Sequence, residues 1–134
     1  MRNTQYSHWR PWLGVVNRCL VPFTTFSEPD ASHKNHYFEF VDGREVAFFA
    51  GICDTHSRQI RAKDEGPTVG QFYGFLTTGA NKVVFPIHSK AMPVILTEPE
   101  EWETWMTADW SIAKDLQRPL ADDMLKSTPF GEIA

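Results

Sequence analysis

Residues 18–30 read RCLVPFTTFSEPD, and this stretch decides what kind of fold the chain can make. Residues 19–23 form an apolar run of strand type. Pro29 then holds Glu28 extended, because the proline ring crowds the helical region of the residue before it. A strand therefore leads to a carboxylate at its exit. Residues 86–96, PIHSKAMPVIL, repeat the arrangement with His88 in place of the acid. A carboxylate and an imidazole together can move protons near neutral pH, since modest burial shifts both pKa values toward it. The plain alternatives are a solvated turn carboxylate and a hydrogen-bonded structural histidine.

Outward from there, residues 19–23, 37–41, 46–53, 71–77, 83–87 and 92–96 all carry strand patterns. Asp42-Gly43 is a tight-turn signal, so residues 37–53 are predicted to form a β-hairpin. The polar residues 56–70, with Gly66-Pro67 near their end, predict an exposed loop joining two strands. After Leu96 the apolar spacing becomes helical. Thr97 and Glu100 have the pattern of a capping box, Pro99 falls in the first turn, and Trp102, Trp105 and Met106 share one face, which predicts a helix over 97–107. A second helix is predicted over 109–116, capped by Asp109 and stopped before Pro119. Pro11, Trp12 and Leu13 with Val15 and Val16 predict a short helix or turn on the core, and residues 120–134 an extended tail. Strands first and helices late imply an α+β domain on a mostly antiparallel β-sheet with one or two late helices.

Composition narrows the function classes. With 134 residues, 42% of them hydrophobic, the chain can bury one core. A net charge of −4 argues against gripping nucleic acid through overall positive charge. A local basic face stays open, because Arg2, Arg10, Arg18 and Lys34 come early and the acidic residues of 98–103 and 122–123 come late. Cys19 and Cys53 sit in apolar stretches without C-x-x-C spacing, which predicts reduced, buried thiols. No window is long and apolar enough to span a bilayer and the start has no signal-peptide pattern, so the expectation is a cytoplasmic protein with no membrane partner. His33 and His36 find no further Cys or His at tetrahedral spacing, and no metal or other cofactor is expected. Thr77, Thr78 and Asn81 surround a glycine and suit a phosphate-contacting turn or an ordinary loop equally well. Trp9 and Trp12, interleaved with Arg2 and Arg10, suit stacking on unpaired bases or packing in the core.

Taken in order and spacing, RCLVPFTTFSEPD, AFFAGICD, GFLTTGAN, PIHSKAMPVIL and EEWETWM resemble the SOS response-associated peptidase (SRAP) family over residues 2–130. FSEP and HSKAMPVIL are most similar to its phage-related branch. The resemblance implies a partial barrel-like SRAP fold and a DNA-damage-response protein that binds single-stranded DNA and crosslinks to abasic sites through an N-terminal cysteine, with autopeptidase activity. It makes Glu28 the active-site glutamate and His88 the active-site histidine beside it. Arg2 corresponds to the phosphate-contacting arginine of an Asn-x-Arg motif, and Thr77, Thr78 and Asn81 to a DNA-contacting turn near the site. Family members begin Met-Cys-Gly and carry about half a domain ahead of that motif, whereas this chain begins Met1-Arg2-Asn3. The expectation is therefore a partial SRAP domain over 1–134 that lacks the family's N-terminal portion and the nucleophilic cysteine, and is crosslinking-deficient. Its expected partners are single-stranded DNA with abasic sites and, through exposed sheet edges, a complementary N-terminal fragment or another copy of itself. Half of a split SRAP enzyme and a non-catalytic interaction module are the alternatives.

Overall fold

Residues 18–29 turn out to serve two sheets. The computed structural model describes residues 2–4, 10–54, 58–60, 67–69 and 72–129. In it β1 (Arg18–Phe23) and β2 (Thr25–Pro29) are separated only by a bend at Thr24, and β3 (Asn35–Phe40) and β4 (Ala47–Asp54) run back along them. β1 pairs with β4, from Arg18↔Ile52 to Phe23↔Ala47, while β2 pairs with β3, from Thr25↔Glu39 to Pro29↔Asn35. One ribbon is thus folded at a corner, its first half in one sheet and its second half in the other.

The predicted hairpin over 37–53 is corrected by this arrangement. β3 and β4 do not pair, because β2 and β11 (Leu125–Pro129) occupy the two edges of β3. The Asp42-Gly43 turn is present, with Gly43 at φ 71, and it carries the chain from one sheet to the other. Arg44 fixes that crossing by gripping both carboxylate oxygens of Asp42 and donating to the Thr97 carbonyl at 3.1 Å. The residues predicted as loop over 56–70 include a short ladder of β5 (Arg58–Ile60) with β6 (Pro67–Val69), and the rest of that stretch lies outside the described residues.

β4 is the central strand of the first sheet. β1 covers one edge, and β7 (Phe72–Phe75) and β10 (Ile95–Leu96) divide the other end to end. The junction between them is closed by three backbone hydrogen bonds, Leu76 N–H to Ala50 O, Ala50 N–H to Val94 O and Val94 N–H to Leu76 O, at 2.9–3.0 Å. Just beyond, β8 (Thr77–Thr78) pairs with β9 (Met92–Pro93), so the residues between them leave the sheet as a loop tied at its base. Among the described residues the ladders do not close into a barrel.

Side-chain alternation along β4 explains why AFFAGICD reads as a continuous apolar run. Ala47 and Phe49 face one core cluster, with Phe23, Phe38, Phe40 and Ile95, and Ala50 and Ile52 face another, with Leu76, Val94, Leu96 and Trp105. The second sheet lies over the first cluster and the helices over the second. α1 (Pro99–Thr107) docks through Trp105, fully buried, whose Nε1 donates to the carbonyls of Cys19 at 2.9 Å and Gly51 at 3.1 Å. Gly51 is required there: a Cβ would stand 2.8 Å from Cys19 Sγ. The cap of α1 lies one residue later than predicted, with Glu98 at the N-cap and Glu101 accepting from the Thr97 and Glu98 amides, and Pro99 opens the helix. The predicted second helix is α2 (Trp110–Ala113) followed by a 3-10 turn at Lys114–Leu116, and Asp109 caps it with its carbonyl, not its side chain. The N-terminal turns are 3-10 segments at Arg10–Trp12 and Val15–Asn17, with Leu13 buried. The fold is α+β and mostly antiparallel, as the sequence pattern implied.

Candidate active site

Glu28 is placed by strand alternation. Phe26 points inward and packs on Phe23, Phe38 and Phe49 with ring centroids 5.9, 5.0 and 6.1 Å away, and Glu28, two residues on, shares that face. Its carboxylate therefore sits at the rim of a phenylalanine cluster, 21% exposed. Burial raises its pKa above the ordinary carboxylate range, and the nearby His88 pulls it part of the way back.

His88 arrives from the loop between β8 and β9. Residues 83–87, predicted as a strand, are turns instead. The cause is Asn81: its side-chain oxygen accepts from the Val83 and Val84 amides at 3.1 and 3.0 Å, taking the donors a ladder would need. Pro86 has no amide proton to offer. Val84 is fully buried, and its carbonyl accepts the His88 amide at 2.8 Å, so the buried turn sets the height of the imidazole. The result is His88 Nδ1 3.7 Å from Glu28 Oε2, an ion-pair separation longer than a hydrogen bond.

Arg2 docks on the same loop two residues past His88, where its Nη1 donates to the Lys90 carbonyl at 2.6 Å. Its other guanidinium nitrogen passes over Gly79, where a Cβ would stand 3.4 Å from Nη2. Thr77 offers its carbonyl, not its hydroxyl, toward this region, accepting from Gln117 Nε2 at 3.0 Å. Thr78 is buried opposite Met92. Asn81 is also buried, and its amide donates to the Leu120 carbonyl at 3.0 Å, so its side chain is engaged within the protein. Of the residues singled out in the sequence, the structure brings Glu28 and His88 to 3.7 Å from each other, and separately joins Arg2 to Lys90 on the His88 loop and, through Gln117, to Thr77. Trp12 packs against the Trp105 cluster, and Trp9 lies outside the described residues.

Sequence reasoning did not single out Gln117, which joins Arg2, Thr4 and Thr77. It follows a 3-10 turn and carries no motif, so only tertiary contact reveals it. With Arg2, Asn3 and Thr4 it lines an open cleft of about 490 Å³. The cleft thus holds one cation, Arg2, while the acid with raised pKa and its imidazole, Glu28 and His88, form a separate pair. The two thiols are elsewhere: Cys19 and Cys53 are unbridged and half-buried across β1 and β4, and burial, with Cys53 adding to it, pushes the Cys19 thiol up to about 11.

Glu28 on β2 and His88 on the loop between β8 and β9 thus form an acid–imidazole pair on an α+β, mostly antiparallel fold. Residues 4–132 match the family described as SOS response associated peptidase (SRAP), and the chain belongs to it. A crystal structure of a protein from Bacteroides thetaiotaomicron is similar, with a TM-score of 0.74 and 25% identity over 96% of this chain and 55% of its own. A second, from Bordetella bronchiseptica, has a TM-score of 0.73 and 24% identity over 94% of this chain and 60% of its own. The chain therefore spans a little over half the length of these two solved relatives. No curated protein matches it.

Proposed function

We propose that this SRAP chain acts in the DNA-damage response, in the cytoplasm, by binding single-stranded DNA beside a Glu28–His88 proton-transfer pair. The observation that carries this reading is the 3.7 Å contact of Glu28 with His88 at an apolar rim that raises the glutamate pKa. A carboxylic acid so tuned can deliver a proton to a leaving hydroxyl while the imidazole accepts one from an attacking group. Arg2, held on the Lys90 carbonyl of the loop that carries His88, supplies the positive charge for a phosphate. The ring-opened sugar of an abasic site is the substrate this pair suits: an aminothiol adds to its aldehyde, water leaves, and the thiol closes the thiazolidine.

That adduct needs an amine and a thiol on one residue, and in Cys19 and Cys53 the nitrogen is part of a peptide bond. Crosslinking by residues 1–134 alone is accordingly absent in this reading, and free cysteine supplies the amine and the thiol for the test. The test is the rate of thiazolidine formation between free cysteine and an abasic-site oligonucleotide. The chain should raise it above the protein-free rate, and Glu28→Gln and His88→Ala should return it to that rate. Equal rates with and without protein would sink the reading.

A second reading rests on the outer edges of β1 and β2, which have no ladder partner among the described residues. Such an edge suits pairing with a complementary polypeptide, a missing half of a split enzyme or another copy of this chain. Sedimentation that stays monomeric at all concentrations, together with no association with a synthetic N-terminal SRAP fragment, would remove it.

A further inference from the structure

We propose that Gln117 is a positioning residue: it ties the Arg2 backbone to the Thr77 strand and so fixes where the Arg2 guanidinium meets a DNA phosphate. The second clause rests on the single-stranded DNA reading above. The first stands on the geometry alone. The carboxamide nitrogen of Gln117 donates to the Arg2 carbonyl at 2.7 Å and to the Thr77 carbonyl at 3.0 Å, and its oxygen lies 3.4 Å from the Thr4 hydroxyl. Two carbonyls facing one side chain require a group with two N–H donors and no negative charge, which an amide provides and a carboxylate does not.

The anchor behind Gln117 is firm. Its own amide closes the 3-10 turn on the Lys114 carbonyl at 3.1 Å, and the next residue, Arg118, reaches the Ile95 carbonyl at 2.8 Å and the Glu101 carboxylate. Glu101 is the same residue that caps the start of α1. The contacts from Arg2 thus run through Gln117 into both the helix and the central sheet. Arg2 is held at two points, its carbonyl by Gln117 and its guanidinium by the Lys90 carbonyl, and it lines the cleft with a group that has five donors, of which the Lys90 bond uses one. A side chain restrained before binding loses less freedom on binding, which is how a residue remote from the phosphate can strengthen the grip on it.

The test is a double-mutant cycle read by fluorescence anisotropy with a labelled single-stranded oligonucleotide over a range of salt. Gln117→Leu, which keeps approximate size, loses the donors and adds no charge, should weaken binding about fivefold and flatten the salt dependence by up to about one charge. In an Arg2→Ala background the same change should cost nothing further. Losses that add across the cycle, or a Gln117→Leu protein that binds like the parent, would overturn the proposal. Amide relaxation at Asn3 and Thr4 provides a readout without DNA: these residues should be ordered in the parent and freed in Gln117→Leu and Gln117→Glu. Unchanged order in whichever variant folds overturns the tether itself. A parent chain that binds no single strands defeats the DNA reading, and the tether is then judged on relaxation.

Discussion

Glu28 and Asp30 lie two residues apart on one hairpin, each faces a histidine, and their acidities move in opposite directions. Their accessible areas are similar, 21% and 25%, but desolvation is the leading influence on Glu28 and hydrogen bonding the leading influence on Asp30. Asp30 accepts from the Ser32 amide at 2.8 Å, the Ser32 hydroxyl at 2.7 Å, the Lys34 amide at 3.0 Å and His36 Nε2 at 2.8 Å, and these bonds hold its carboxyl well below the usual range. Glu28 meets His88 at 3.7 Å, and no described residue donates a hydrogen bond to it, so burial against the phenylalanines prevails and its pKa rises. One pair closes a turn and is chemically quiet. The other keeps an acid in reserve at the rim of a phenylalanine cluster.

The largest expected difference between the pairs is in catalysis. Glu28→Gln should lower the free-cysteine reaction by about 100-fold, the scale of a lost general acid, while Asp30→Asn leaves it within about twofold. A parallel rate assay on the two variants decides this, and equal losses would erase the distinction. Next is the support of His88. Asn81→Ala strands the Val83 and Val84 amides and should cost about 2 kcal/mol in urea unfolding.

Phe26→Ala probes the cause of the raised acidity. Water admitted at the rim should bring the Glu28 pKa back toward the usual carboxylate range, read by carboxyl carbon NMR, and Asp30 should not move. The two acids must also have opposite effects on stability. Glu28 has a folded pKa above its unfolded value near ~4.3, so its contribution is full below that value and is lost as pH rises through the folded pKa. Glu28→Gln should therefore melt higher than the parent at pH ~7, with the gap closing in acid. Asp30 has a depressed folded pKa, so its contribution is present above the unfolded value near ~3.9 and is lost as pH falls through the folded pKa. Asp30→Asn should melt lower at neutral pH, and thermal scans across pH give both signs. The smallest effect belongs to Ser32→Ala, which removes the strongest single cause of Asp30's acidity and should raise that pKa while leaving Glu28 unchanged.

Much of the fold was legible because it rests on local chemistry. The apolar run of residues 47–53, the proline-opened helix with Trp102 and Trp105 on one face, and the turn at Asp42-Gly43 are all written in spacing and backbone preference. The hairpin over 37–53 was misread because a turn signal says that the chain reverses and not which neighbour the strand then finds; β2 and β11 had taken the edges of β3. Residues 83–87 were misread because their β-branched pattern does not show that the Asn81 side chain takes the amides first.

For the site, the sequence alone marked Glu28, His88 and Arg2 as residues able to carry charge and protons at the ends of ordered segments. The family also followed from the sequence, since its motifs are linear. Only the tertiary structure decided that the first two meet, that Asn81 turns inward, that Gln117 holds Arg2, and that Glu28 and Asp30 part company in acidity. The physical reason is that acidity and reach depend on what surrounds a side chain in space, and the corner at Thr24 brings together groups that lie 60 residues apart along the chain.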